Sequence, residues 1–429
     1  MALAAEGEPL QLTLKRAVEL ALSPEGSARV QISAEMVRQA ETRAAQARAA
    51  LLPNFEAGFT GQNLTRNLAA MGIRFDLPLS GFRFPATVGP FNVLDARATG
   101  SQSIFDFASI RRFQSARSGL DAARAERTVT EDQVAAQVAR AYLRLLKADA
   151  DVEAVRANVT LAGSVLELAE SQKRAGTGTG IEITRARVQL SSERQRLLVA
   201  ENERRRAQLE LARAIGLRLD TPIQPAAKLE FTPVDPVTLG EAKTRALKER
   251  ADVLAQQERE SGARLASGAV KWERLPTVAA FGDYGSIGTG FGSMLPTRTY
   301  GISLRVPLFD GGRRDARRAE AASQYRAEVV RTRDLKEQVD LEIRLALDAL
   351  ASAAEQVEVA REGLALAESE LTQARRRYQA GVATGLEVTD AQTRLERARD
   401  NQTAALFNHN LARIDLAQAT GTIRRELLQ

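Results

Sequence analysis

The sequence predicts a mainly α-helical protein with a β-barrel portion, built from one plan used twice. Three observations carry that prediction. None of the 13 prolines falls between Pro90 and Pro222 or after Pro307, and proline is the residue that breaks helix interiors. Apolar residues inside those gaps recur every seven positions, and alternating apolar and polar residues precede each long heptad run. The seven-residue lines and their turns then return after 205 positions, with matching segments upstream of each.

The elements follow in order. Leu12-Thr13-Leu14 and Val237-Thr238-Leu239 open the two copies, each ahead of a short helix. Leu52-Pro53 and Leu275-Pro276 then lead into candidate strands near 54–65 and 277–287, where Phe55, Phe59, Phe281 and Tyr284 supply aromatic residues. The second strands of each pair alternate strictly. Leu94, Ala96, Ala98, Gly100 and Ile104 interleave with Asp95, Arg97, Thr99, Ser101 and Ser103; Tyr300, Ile302, Leu304, Val306 and Leu308 interleave with Thr299, Gly301, Ser303, Arg305 and Pro307.

A long helix is expected from about 106 to 175 and another from about 310 to 380, each about 100 Å at 1.5 Å per residue. Asp106 and Asp310 are the expected N-caps, because an aspartate accepts from free first-turn N–H groups. In the second helix Ile343, Leu350, Val357, Leu364, Leu371 and Tyr378 form one line, and Val339, Ala346, Ala353, Ala360, Ala367 and Ala374 a second. Val138, Leu145, Val152, Val159 and Leu166 form the matching line of the first copy. Alternating large and small residues at three and four spacing make a close-packed coiled-coil seam. The breaks at 175–182 and 380–387 correspond, and Ala391, Ala398, Ala405, Ala412 and Ala419 resume the period, so each copy ends in an antiparallel helical hairpin. The expected organisation is a first repeat over 1–220, a linker over 221–236 in the equatorial region, and a second repeat over 237–429.

Four two-faced strands of about ten residues each have the length that crosses a bilayer as tilted β structure. They cannot close by themselves, since closure takes at least eight strands and an open edge cannot sit in hydrocarbon. Several copies must share one barrel.

Composition excludes other classes. With no Cys and one His there is no disulfide, thiol nucleophile, thiolate metal site or multi-histidine cage, so neither cofactor nor metal is expected. The net charge of +6 is spread along the chain with both signs interspersed, which argues against nucleic acid. Gly176, Gly178 and Gly180, and likewise Gly285, Gly288, Gly290 and Gly292, lack the Lys-Ser/Thr of a phosphate loop and read as turn glycines. His409 is assigned no chemistry. Arg313, Arg314, Arg317 and Arg318 suit either lipid phosphates or a solvated helix face. No nucleophile–base pair is present, and the expectation is a protein that is not an enzyme. A soluble coiled-coil scaffold would explain the heptads but not the strand pairs, and a periplasmic adaptor usually has one hairpin rather than two.

Val306-Pro307-Leu308-Phe309-Asp310-Gly311-Gly312, Tyr378-Gln379-Ala380-Gly381, Leu386-Glu387-Val388-Thr389-Asp390-Ala391 and Ala419-Thr420-Gly421 resemble the outer-membrane efflux proteins, the TolC-like ducts of Gram-negative bacteria. The resemblance implies a homotrimer with one twelve-stranded barrel in the outer membrane and a periplasmic α-helical cylinder. It implies an exit duct of a tripartite efflux or type I secretion system, fed by an inner-membrane efflux pump or ABC transporter through a periplasmic adaptor. Outer-membrane lipid would surround the barrel. Family precursors carry a signal peptide and some branches a lipid-bearing cysteine; the start of this sequence shows neither, which fits a mature, non-lipidated form.

The same resemblance assigns the residues at the turns. Gly176, Thr177, Gly178, Gly381, Val382 and Ala383 would be the tips that touch the adaptor, with Val382 keeping and Thr177 departing from the family's apolar residue. Glu387 and Asp390 share one helix face at i, i+3 and are ordinary residues for a helix start, where the dipole favours acids. The resemblance instead makes them a periplasmic gate, with Tyr378 and Glu182 in places where family members put polar links. Ala383 stands where some members have a basic linking residue.

Overall fold

The computed structural model describes residues 10–73 and 85–428. The elements run β1 (Leu10–Leu12), α1 (Leu14–Leu22), α2 (Ala28–Ala49), β2 (Asn54–Asn67), β3 (Thr87–Phe105), α3 (Phe107–Arg174), α4 (Gly180–Ile215) and β4 (Ile223–Pro225). They continue with α5 (Leu239–Glu249), α6 (Ala251–Trp272), β5 (Thr277–Gly288), a short 3₁₀ turn at Phe291–Ser293, β6 (Leu295–Arg305), α7 (Arg313–Gln379), α8 (Gly385–Thr420) and α9 (Ile423–Leu428). Two helices, two strands, a very long helix and a shorter one therefore occur twice in the same order. The chain forms two compact units, one from residues 39–121 and 258–329 and one from the remainder.

The first of these units holds the sheet, ordered β2-β3-β5-β6 and antiparallel throughout. Its register puts Phe55, Gly100, Gly282 and Tyr300 in one row. Because facing residues share a side and alternate along each strand, Phe55, Phe59, Tyr284, Tyr300, Ile302 and Leu304 all lie on one face. That face is uncovered: Phe55 and Tyr300 are 79% and 80% exposed. The other face carries Glu56, Asp95, Thr99, Asp283 and Thr299, and there Arg97 pairs with Asp95 at 2.5 Å and with Asp283 at 3.4 Å. β6 stops at Arg305, short of the alternation expected to reach Leu308, because Pro307 has no N–H to give the ladder. Among the described residues β2 pairs only with β3 and β6 only with β5, so both outer edges of the sheet are open.

The two long helices begin in this same unit. Asp106 caps α3 as expected, accepting from the Ser109 N–H at 3.1 Å. Asp310 does not stand directly before α7: Gly311 and Gly312 intervene with φ of +67° and +86°, and its carboxylate accepts from the Arg314 N–H at 3.1 Å. Side chains other than glycine rarely adopt that backbone, which explains the pair of glycines at this bend. The other unit is helical, and three apolar clusters hold it. One gathers Val134, Val138, Tyr142 and Leu145 of α3 with Leu211 and Ile215 of α4, Val18 of α1 and Ile223 of β4. In it the Tyr142 hydroxyl donates to the Leu12 carbonyl at 3.0 Å, fastening the small parallel β1–β4 sheet that the sequence reading had not foreseen. A second joins Ala242, Ala246, Val253, Val339, Ile343 and Leu416. The third joins Val165 of α3 to Leu371, Ala374 and Tyr378 of α7 and Val388, Ala391 and Leu395 of α8. The seven-residue lines are therefore the buried lines.

Candidate functional site

The third cluster ends at the two turns. α3 stops where Gly176 takes φ of +76°, its N–H bonded to the Lys173 carbonyl at 3.1 Å and that of Thr177 to the Gln172 carbonyl at 3.0 Å. α7 stops the same way at Gly381, φ +73°, with the Val382 N–H on the Arg377 carbonyl at 3.0 Å. Val382 is 68% exposed and Ala383 half-buried. Thr177 turns its hydroxyl back onto the Gln172 carbonyl at 3.2 Å. A side chain at Gly178 would meet the Lys173 nitrogen at 2.9 Å, so the first turn has no room for one there.

The structure brings Tyr378 and Glu182 together. Tyr378 is buried as the last residue of its seam. Its hydroxyl and Oε1 of Glu182 both lie over Gly385, 3.6 and 3.7 Å from where a Cβ would stand. Glu182 Oε2 accepts from the Thr179 N–H at 2.9 Å and the Thr179 hydroxyl at 3.1 Å, closing a capping box at the start of α4. The carboxylate thus caps α4 while its other oxygen lies against the Gly385 backbone at the start of α8, so one side chain touches helix starts from both hairpins. The Thr179 backbone bond, aided by its hydroxyl and by Gly385, holds the Glu182 carboxyl below its usual range. Burial, and then the neighbouring Glu182 charge, push the Tyr378 phenol up, so it stays a neutral O–H.

Glu387 and Asp390 are not part of that contact. Both are exposed on the first turns of α8, and Glu387 is met by Arg377 of α7 at 3.5 Å. Sequence reasoning missed two participants. Gln172 donates to the Tyr378 carbonyl at 3.2 Å, joining α3 to α7, and Arg377 partners Glu387. The 205-position offset pairs Gln172 with Arg377, so the duplication itself was the signal that both belong to the turn region. Among the described residues no helix is long and apolar enough to cross a membrane, and no cluster of three His, Asp or Glu side chains is placed to hold a metal.

Comparison with known proteins agrees with this architecture. The family described as outer membrane efflux protein matches residues 25–217 and 243–422. The pyoverdine export outer membrane protein OpmQ of Pseudomonas putida is 27% identical over 404 residues, covering 91% of this chain and 82% of its own. The outer membrane protein TolC of Vibrio cholerae is 23% identical over 351 residues, 78% of each chain. Among solved structures, the outer membrane protein VceC of Vibrio cholerae superposes with a TM-score of 0.79 over 95% of this chain and 96% of its own, at 21% identity. With a family match spanning both copies of the repeat, the chain belongs to the outer membrane efflux protein family and is an outer-membrane exit duct for efflux.

Proposed function

We propose that three copies of the chain share one twelve-stranded barrel and work as the outer-membrane end of a tripartite assembly. The observation that carries this is the sheet: an uncovered apolar face, an ion-paired polar face and two open edges. In lipid each edge must be paired, and edge-to-edge addition of identical sheets does so without new sequence. Two copies supply eight strands and three supply twelve, and the family resemblance favours three. The apolar face then meets lipid and the polar face lines the passage. Repeat boundaries near 220 and 237 fit the element order, with β4 the only regular element inside the linker.

The paired turns are the proposed periplasmic end. Gly176, Thr177, Gly178, Gly381, Val382 and Ala383 meet the adaptor, while Tyr378 and Glu182 hold the two hairpins together and Glu387 and Asp390 face the axis as gate carboxylates. The inner-membrane pump passes cargo through this end; relatives that export pyoverdine make a small molecule the first cargo class to test. Cross-linking the purified full chain in detergent and weighing the product tests the assembly. A trimer is expected, and a stable monomer or dimer rejects the shared barrel.

A further inference from the structure

Two carboxyl groups are buried side by side where α4 meets α8, well along the helices from the turns. Glu193 is 1% exposed and Glu396 8%. Gln189 Nε2 donates to Glu193 Oε1 at 2.9 Å and approaches Glu396 Oε1 at 3.4 Å. Arg196 donates to Glu396 Oε2 at 2.7 Å and reaches Glu193 Oε1 at 3.5 Å. Glu193 Oε2 has no hydrogen-bond partner at all. One amide and one guanidinium thus serve three of the four carboxyl oxygens, and the fourth is left in a helix seam.

The charges facing this point do not balance. α4 contributes Glu193 and Arg196, and α8 contributes Glu396, the buried amide of Gln392 and Asp400. α3 contributes Asp151, already paired with Lys147 at 2.7 Å, and Asn158, which accepts from Arg399 of α8 at 2.7 Å. Around Arg196 alone stand the carboxyls of Glu193, Glu396 and Asp400. A groove of about 770 Å³ between α3, α4 and α8, lined by Lys147, Asp151, Arg196, Glu396 and Asp400, opens beside the pair and gives protons a route to solvent.

We propose that Glu193 and Glu396 share one proton, and that this proton fastens α4 to α8 as an acid-set latch between the two hairpins. An ionised Glu193 would stand as a buried charge with one oxygen unserved, beside a second carboxylate. Protonated, it donates an O–H to Glu396 and removes the repulsion. Burial first, and then the Glu396 charge, raise the Glu193 carboxyl above its ordinary range. A carboxyl raised in the packed state favours packing while it is protonated. The contribution is full below the ordinary carboxyl range and is lost as pH climbs through the raised value. The latch therefore holds in acid and slackens toward neutral and alkaline pH. Neither the tip assignment nor the number of copies enters this argument.

The chain has no cysteine, so a pair can be placed at will. Arg194→Cys on α4 and Arg397→Cys on α8 are both exposed and take spin labels, in full-length protein diluted with unlabelled chain so that only distances within one copy are read. The labelled protein is expected to give a narrow, short distance at about pH 5 and a longer, broader one at about pH 8.5. Adding Glu193→Gln, a neutral isostere, is expected to keep the short distance at both pH values. Glu396→Gln, which leaves Glu193 alone with Arg196, is expected to flatten the titration as well. A distance that does not change with pH in the labelled parent overturns the latch, whether or not the variants fold. A titration that persists unshifted in Glu193→Gln overturns it too.

Discussion

Glu182 and Glu387 occupy the same place 205 positions apart, two residues into the second helix of each hairpin, and they make different bonds. Glu182 closes a capping box with Thr179 and lies against the Gly385 backbone of the other hairpin. Glu387 turns instead to Arg377 within its own hairpin. Duplication supplied two equal acids, and only one of them reaches across to the other hairpin.

Replacing Glu182 by Ala is therefore expected to loosen the paired turns, with a local cost of about 1 kcal/mol for the lost cap. In bilayer recordings the variant should spend more time in conducting states. Its pH response has a definite sign. A carboxyl held below its usual range stabilises above that range and loses its effect only as pH falls through the lowered value, so the link persists in mild acid and fails in strong acid. Unchanged conductance in the Ala variant would show that Glu182 only caps α4.

Arg377 covers part of the charge on Glu387. If Glu387 and Asp390 face a common axis, Glu387→Gln with Asp390→Asn lowers cation selectivity and weakens block by divalent cations added on the periplasmic side. Arg377→Ala should do the reverse, uncovering the carboxylates. Selectivity measured as reversal potential across a salt gradient separates the two. No movement in either variant returns both acids to the role of ordinary helix-start residues.

Gly216 and Gly421 end α4 and α8 in the left-handed region, at φ of +80° and +77°. A Cβ at Gly216 would come within 2.8 Å of the Gly26 carbonyl oxygen, and one at Gly421 within 3.0 Å of the Arg250 backbone nitrogen. Alanine at either position should cost about 1–3 kcal/mol, seen as a lower melting temperature by circular dichroism in detergent. Gly119 and Gly363 are the control: they lie inside helices with open space around them, and alanine there should stabilise by up to about 1 kcal/mol. Equal effects at all four would remove the backbone argument.

Photocrosslinking residues at Thr177 and Val382 should capture the adaptor, with the stronger yield at Val382, whose side chain is exposed and free of the turn's own bonds. Capture only from the middle of α4 or α8 would move the contact away from the turns.

Much of this architecture is legible in the residues because it rests on periodicity. The Val339–Ala374 and Ile343–Tyr378 lines foretold buried faces, and the alternation from Tyr300 to Leu304 foretold a two-faced strand. Glu193 and Glu396 were not legible, for a physical reason. They flank a seam, where an acid ordinarily points to water, and they are buried because a helix from the other hairpin packs on that flank. Only the tertiary arrangement says so. The parallel β1–β4 pair escaped for a similar reason: three residues each, joined across 213 positions, leave no periodic trace. At the turns, Tyr378 and Glu182 were found by resemblance. Gln172 acts through a backbone carbonyl, which no side-chain pattern encodes.

The two hairpins are matched in length: α3 and α7 have 68 and 67 residues, and α4 and α8 have 36 each. Length is thus a coupled variable. Deleting one heptad from α3 and its complement from α4 would draw the Gly176 turn back by about 10 Å. It would strand Glu182 away from Gly385. The same deletion made in all four helices would shift both turns together and leave that contact whole. Descendants of such a chain can therefore change reach only by paired steps of whole heptads, and an engineer shortening the duct to fit a different periplasm is bound by the same rule.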